Sequence, residues 1–151
     1  MSRYGKFRQQ MTRELAEASS PTRKTTKPAK PPVPLEHDIQ ALFVQLVAQL
    51  GKPLDVSFAI PNAAKRSPML MGRLKREGFR KGIPDWCLPV PRGPYNALWI
   101  EFKRPGGKPT PEQTEMLKRL EEEGGAVHIV DDAAKGLEVV REYLALKQRA
   151  V

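Results

Sequence analysis

A short apolar run, Ala97-Leu98-Trp99-Ile100, passes without interruption into Glu101-Phe102-Lys103. Such a run with charges at one terminus predicts a strand buried along its length and polar only at its end. Side chains alternate between the faces of a strand, so Glu101 and Lys103 share one face while Leu98, Ile100 and Phe102 point to the other. Upstream, Pro84-Asp85 opens a second run, Trp86-Cys87-Leu88-Pro89-Val90, and Pro91-Arg92-Gly93-Pro94-Tyr95-Asn96 is a connector made of turn residues. The two runs predict an antiparallel hairpin, with the start of one strand beside the end of the next. Asp85 thereby comes within reach of Glu101. Two carboxylates that close repel unless a divalent cation or a proton holds them together, and Lys103 adds a positive charge beside them. A cross-strand ion pair on a sheet surface is worth only roughly 0 to 1 kcal/mol. The triplet ends an otherwise apolar strand, which makes a site the sharper reading.

The rest of the chain alternates helical and extended patterns. Leu35, Ile39, Leu42, Phe43, Leu46, Val47 and Leu50 draw an apolar helical stripe stopped by Gly51 and Pro53. Leu54 to Ile60 alternates as a strand, and a basic helical stretch runs from about Ala64 to Glu77, ending at Gly78. After the hairpin comes a loop, Arg104-Pro105-Gly106-Gly107-Lys108-Pro109, then a helix capped by Thr110 with Pro111 at its first position. Met116, Leu117 and Leu120 face inward on it, and Gly124-Gly125 ends it. Ala126 to Val130 reads as a short buried strand, and Leu137, Val140, Tyr143 and Leu144 line a last helix. The expected order is helix, strand, helix, strand, strand, helix, strand, helix, an α/β arrangement.

Charge is concentrated at the N-terminus. Residues 1–34 hold eight Lys or Arg against Glu14 and Glu17, which is +6 of a total of +9. The same segment carries Pro21, Pro28, Pro31, Pro32 and Pro34 and little to bury, the composition of an extended, disordered arm preceding a domain over 35–151. A basic chain with a basic arm is most simply a binder of polyanions, since each phosphate neutralised releases counterions. Nucleic acid is the first candidate. The lone cysteine, Cys87, excludes an internal disulfide and fits a reducing compartment. No apolar run approaches a membrane span, so the expectation is a soluble cytoplasmic protein.

Gly82-Ile83-Pro84-Asp85, then Leu98-Trp99-Ile100-Glu101-Phe102-Lys103, then Gln113 on the next helix, resemble the VRR-NUC (virus-type replication and repair nuclease) branch of the PD-(D/E)XK nucleases. Glu36 with Gln40 on the first helix and Pro61-Asn62 after the first strand belong to the same likeness, which spans residues 35 to about 145. It implies a restriction-endonuclease-like core, a mixed four-stranded sheet flanked by helices. It also implies a metal-dependent endonuclease acting on branched or junction DNA in a bacterial or phage-infected cell. By that likeness Asp85, Glu101 and the backbone carbonyl of Phe102 are metal ligands, and Mg²⁺ or Mn²⁺ is the cofactor. Lys103 would orient or deprotonate the attacking water, or stay charged and stabilise the transition state. Glu36 and Gln113 are accessory site residues, and small standalone relatives imply a homodimer. The competing reading is a non-catalytic DNA-binding module that keeps the fold.

Other residues invite plainer readings. Gln113 follows Thr110 by three, so it also completes a capping box, and Glu36 is a first-turn acid favoured by the helix dipole. His37 and His128 lack zinc-site spacing and read as surface or packing residues. Cys87, Trp86 and Trp99 read as core. Asn62, Lys65, Arg66, Arg73, Arg80, Lys81, Arg104 and Lys108 are the candidate contacts to nucleic acid, because they flank the hairpin site.

Overall fold

The structure, a computed structural model, describes residues 33–61 and 67–148. Elements run in the order α1 (Glu36–Ala48), a 3-10 turn (Leu54–Val56), β1 (Phe58–Ala59), α2 (Pro68–Arg76), β2 (Trp86–Leu88), β3 (Leu98–Phe102), α3 (Pro111–Glu122), β4 (Ala126–Val130) and α4 (Ala133–Ala145). The four strands form one mixed sheet in the order β1-β2-β3-β4. β1 and β2 are antiparallel, as are β2 and β3, whereas β3 and β4 are parallel and joined through α3. A parallel neighbour needs such a crossover, because a tight turn returns the chain only antiparallel.

The register separates the faces. Trp86 pairs with Ile100, Cys87 with Trp99 and Leu88 with Leu98. Leu98, Ile100 and Phe102, with Trp86 and Leu88, form the core together with Ile39, Phe43 and Val47 of α1 and Val140 and Tyr143 of α4. Phe43 sits at its centre, edge-on to Trp86 at 5.1 Å and tilted against Phe102 at 5.0 Å between ring centroids. Gly136 lets α4 approach this ring, since a Cβ there would lie 2.8 Å from Phe43 Cδ2. α1 and α4 therefore cover one face. α3 covers the other, where Trp99 and Glu101 point.

Several sequence expectations need correction. Leu54 to Ile60 is mostly not a strand: Leu54–Val56 turns as a 3-10 helix and only Phe58–Ala59 pairs. The alternation does not track burial, because Leu54 is buried while Val56 and Phe58 are exposed. Ser57 holds the turn, its hydroxyl donating to the Leu54 carbonyl at 2.7 Å. Of the first helical stripe, Leu35, Leu42 and Leu50 are exposed and the core takes Ile39, Phe43 and Val47. β2 ends at Leu88 rather than Val90, as Pro89 has no N–H to give a ladder. β4 is buried only at Ala126 and Val130, with His128 and Ile129 exposed because, among the described residues, no strand lies beyond it. The arm over 1–32, and Asn62, Lys65 and Arg66, lie outside the described residues, as does the start of the helical stretch expected from Ala64.

Candidate active site

Extending the β2–β3 register by one residue sets Asp85 across from Glu101, on the face opposite the core. Local chemistry fixes each of them. The Asp85 carbonyl accepts from Ile60 N at 2.8 Å and from Gln40 Nε2 at 3.3 Å, so β1 and α1 both hold its backbone. Its Oδ2 accepts from Phe102 N at 2.8 Å, tying the carboxylate to the end of β3. Glu101 Oε1 accepts from Lys103 Nζ at 2.5 Å and also from Gln113 Nε2 on α3. Asp85, Glu101 and Lys103 are 5%, 0% and 7% exposed, and they are the buried charged residues of the described chain.

Burial governs the electrostatics. It pushes the Asp85 carboxyl above the usual carboxylate range, against the opposing pull of the Phe102 N–H and of Lys103. Glu101 is pushed up to about 7, first by burial and then by the charges of Asp85 and Glu36, with Lys103 acting in the other direction. A desolvated pair of carboxylates with raised proton affinity beside a cation is a common mark of a functional cleft. Glu101 Oε2 has no hydrogen-bond partner although it is buried. An anionic oxygen left so is costly unless something outside the chain satisfies it.

α1 begins where β3 ends. Glu36, in its first turn, raises the proton affinity of both Asp85 and Glu101, and its Oε1 accepts from Arg104 N at 3.4 Å. Gln113 completes the capping box of α3, and its side chain also reaches Glu101. Gly82 supplies a contact that residue patterns do not reveal. It adopts φ +81°, and a Cβ there would lie 2.4 Å from the Glu112 carbonyl oxygen, so the loop leading to Asp85 lies directly on the first turn of α3. Thr110 caps that turn through Gln113 N.

A cleft of about 660 Å³ opens beside Asp85. Glu36, His37, Gln40 and Lys81 line its polar side. His37 is exposed, as the sequence reading as a surface residue expected, and it also lines the cleft. The spacing of Glu36 and Gln40 puts those two on one helix face. Of the candidate contacts to nucleic acid, Arg73, Arg80, Lys81, Arg104 and Lys108 are exposed. Lys81 reaches the cleft, whereas Arg73 is engaged with Glu77 at 2.8 Å. Cys87 is buried, and burial pushes its thiol up to about 11, as suits an inert core residue.

The VRR-NUC domain family model matches residues 40–133. The chain belongs to the VRR-NUC domain family. A solved structure described as a VRR_NUC domain protein superposes with a TM-score of 0.66 at 24% identity, over 78% of this chain and 93% of that one. No curated protein matches the chain. The mixed sheet between helices is thus the fold of a VRR-NUC domain, of nuclease type, and the matched span contains Asp85, Glu101, Lys103 and Gln113. Glu36 stands just before it.

Proposed function

We propose that this VRR-NUC protein is a metal-dependent nuclease that hydrolyses phosphodiester bonds in DNA. The observation that carries the reading is the buried, unpartnered Glu101 Oε2 beside Asp85 and Lys103. Among the described residues no three His, Cys, Asp or Glu side chains gather to hold a metal by themselves. A cation here would be held by Asp85, Glu101 and the Phe102 carbonyl with water completing its shell, a donor set that suits Mg²⁺ or Mn²⁺. When bound, such an ion polarises the phosphate and acidifies its water.

The chain's own residues supply the rest. Asp85 is held by the Phe102 N–H, and its backbone by Ile60 and Gln40, so the carboxylate is fixed before any ligand arrives. Gln113 and Lys103 fix Glu101 in the same way. Lys103 is the cation available to offset negative charge building on the phosphate oxygens. Exposed Arg80, Lys81, Arg104 and Lys108, of which Lys81 lines the cleft, with the basic N-terminal segment, favour a polyanionic substrate. Branched or junction DNA is the substrate shape we favour, with the chain acting as a homodimer, because symmetric cutting of a junction needs two sites facing two strands.

Purified protein incubated with labelled duplex, flap and four-way junction DNA, with Mg²⁺ or with EDTA, tests this. Cleavage that needs Mg²⁺ and vanishes in Asp85→Ala and Glu101→Ala is expected. Full activity in either well-folded variant overturns the site. DNA binding with no cleavage under any divalent ion would favour a binding module that keeps the fold.

A further inference from the structure

The cleft beside Asp85 is lined by side chains of two kinds. Ile60 and Pro61 after β1, Met71 on α2 and Phe79 just beyond α2 line it together with Glu36, His37 and Gln40. A groove built to track a phosphate backbone would be cationic along its length. Among the described lining residues Lys81 is the one Lys or Arg, and an aromatic ring, a thioether and two aliphatic side chains supply an apolar part of the lining. Such a surface suits the face of a nucleobase, which stacks on aromatic and apolar groups whatever its sequence. The volume, about 660 Å³, falls in the range of sites that take single small molecules, and a nucleotide is of that size.

A base within a duplex offers no free face. Its two faces are covered by neighbours, and only a base out of the stack can meet Phe79. The cleft also opens directly on Asp85, so a base seated in it would adjoin the phosphate presented to the carboxylates. We propose, resting on the nuclease reading above, that Phe79, Met71, Ile60 and Pro61 form a subsite for one unpaired nucleotide flanking the scissile phosphate. Lys81 at the rim meets the phosphate of that nucleotide. Selection of branched DNA then follows from the site itself: unpaired nucleotides at a branch enter without the cost of unstacking, and those of a continuous duplex do not.

The test is a coupling measurement on full-length Glu101→Gln protein, which holds DNA uncut. A forked DNA is prepared with a single abasic residue at each position in turn along the unpaired arm and across the branch point. At one position, beside the bond cut by the wild-type protein, loss of the base is expected to weaken binding by about 5- to 100-fold. With Phe79→Ala added, the same loss should weaken binding by less than twofold, because the ring it stacked on is gone. Phe79→Tyr should restore the full effect, which separates loss of a stacking face from damage to the fold. An abasic scan that leaves affinity unchanged everywhere, or an equal loss with and without the Phe79 ring, overturns the subsite. Cleavage by the wild-type protein on the same fork reports the nuclease reading independently. Cleavage with no coupling sinks the subsite alone, and absence of both binding and cleavage sinks the two together.

Discussion

Gln113 grips Glu101 with one end of its amide while the other end caps α3. Its Oε1 accepts from Thr110 N at 2.9 Å, which leaves the NH₂ group to donate to Glu101 Oε1. An amide can do this because it carries a donor and an acceptor at opposite corners. The start of the helix and the orientation of the carboxylate are thus set by one side chain. Gln113→Ala should lose the Glu101 contact and the reciprocal half of the capping box, while Thr110 still caps through the backbone N of residue 113, with stability falling by about 0.5–1.5 kcal/mol and cleavage falling at least tenfold. Gln113→Glu separates the roles. A carboxylate still accepts from Thr110 N but sets a second negative charge against Glu101 Oε1, so the reciprocal cap bond is kept while cleavage should fall as steeply as in the alanine variant. Thermal melts and cleavage rates on the two proteins check this, and wild-type activity in Gln113→Glu would show that the Glu101 contact is idle.

Much of this site is legible in local pattern. Alternation along a strand is enough to put Glu101 and Lys103 on one face, and turn residues between two runs are enough to bring Asp85 beside them. The Thr110-x-x-Gln113 spacing announces the cap. What alternation cannot reach is contact between distant segments. Gln40 on the Asp85 carbonyl joins residues 45 apart, and Glu36 on Arg104 N joins residues 68 apart. Neither has a periodic signature. The segment after Gly51 misleads for a different reason: its alternation is real, but a local turn held by Ser57 satisfies the backbone before a ladder can.

The buried carboxylates make a pH prediction with a definite sign. Glu101 is raised from 4.5 to about 7 and Asp85 is raised from 3.8, both by burial first. In the window between about 4.5 and 7 the folded protein holds a proton at Glu101 that the unfolded chain has released, so stability falls as pH rises. Asp85 adds a fall of the same sign, beginning above its ordinary value. The loss from Glu101 should be at most about 3.5 kcal/mol, since one pKa unit is about 1.4 kcal/mol. Urea unfolding in EDTA across pH 4 to 8 should show this decline, and Glu101→Gln should flatten most of it. Added Mg²⁺ should recover stability chiefly at the upper end of the range, where the carboxylates are charged. A flat wild-type profile in EDTA would mean that Glu101 is paired more fully than its burial suggests.

Gly82 should not tolerate a side chain. Its φ of +81° disfavours any L-residue, and the added methyl would meet the Glu112 carbonyl at 2.4 Å, backbone against backbone with nothing flexible to yield. Gly82→Ala should cost roughly 1–3 kcal/mol and shift Asp85 relative to Gln113. Cleavage should fall more than the loss of stability explains, measured at a temperature where both proteins are folded. Activity that simply tracks the folded fraction would show that the loop does not position Asp85.

The arm makes a prediction that separates binding from chemistry. Residues 1–34 carry eight cations against two carboxylates, yet Asp85, Glu101, Lys103, Glu36 and Gln113 all lie beyond Pro34. Deleting the arm should leave the cleavage chemistry intact at saturating DNA while weakening affinity. Each phosphate contact contributes close to one unit to the slope of log affinity against log salt, and only some of the cations engage at once. Glu14 and Glu17 offset part of the attraction, so the slope should drop by about two to four units. Salt titrations of binding by the full chain and by the truncated protein measure it. An unchanged slope would mean that these cations do not contact DNA, and the arm would then serve another acidic partner.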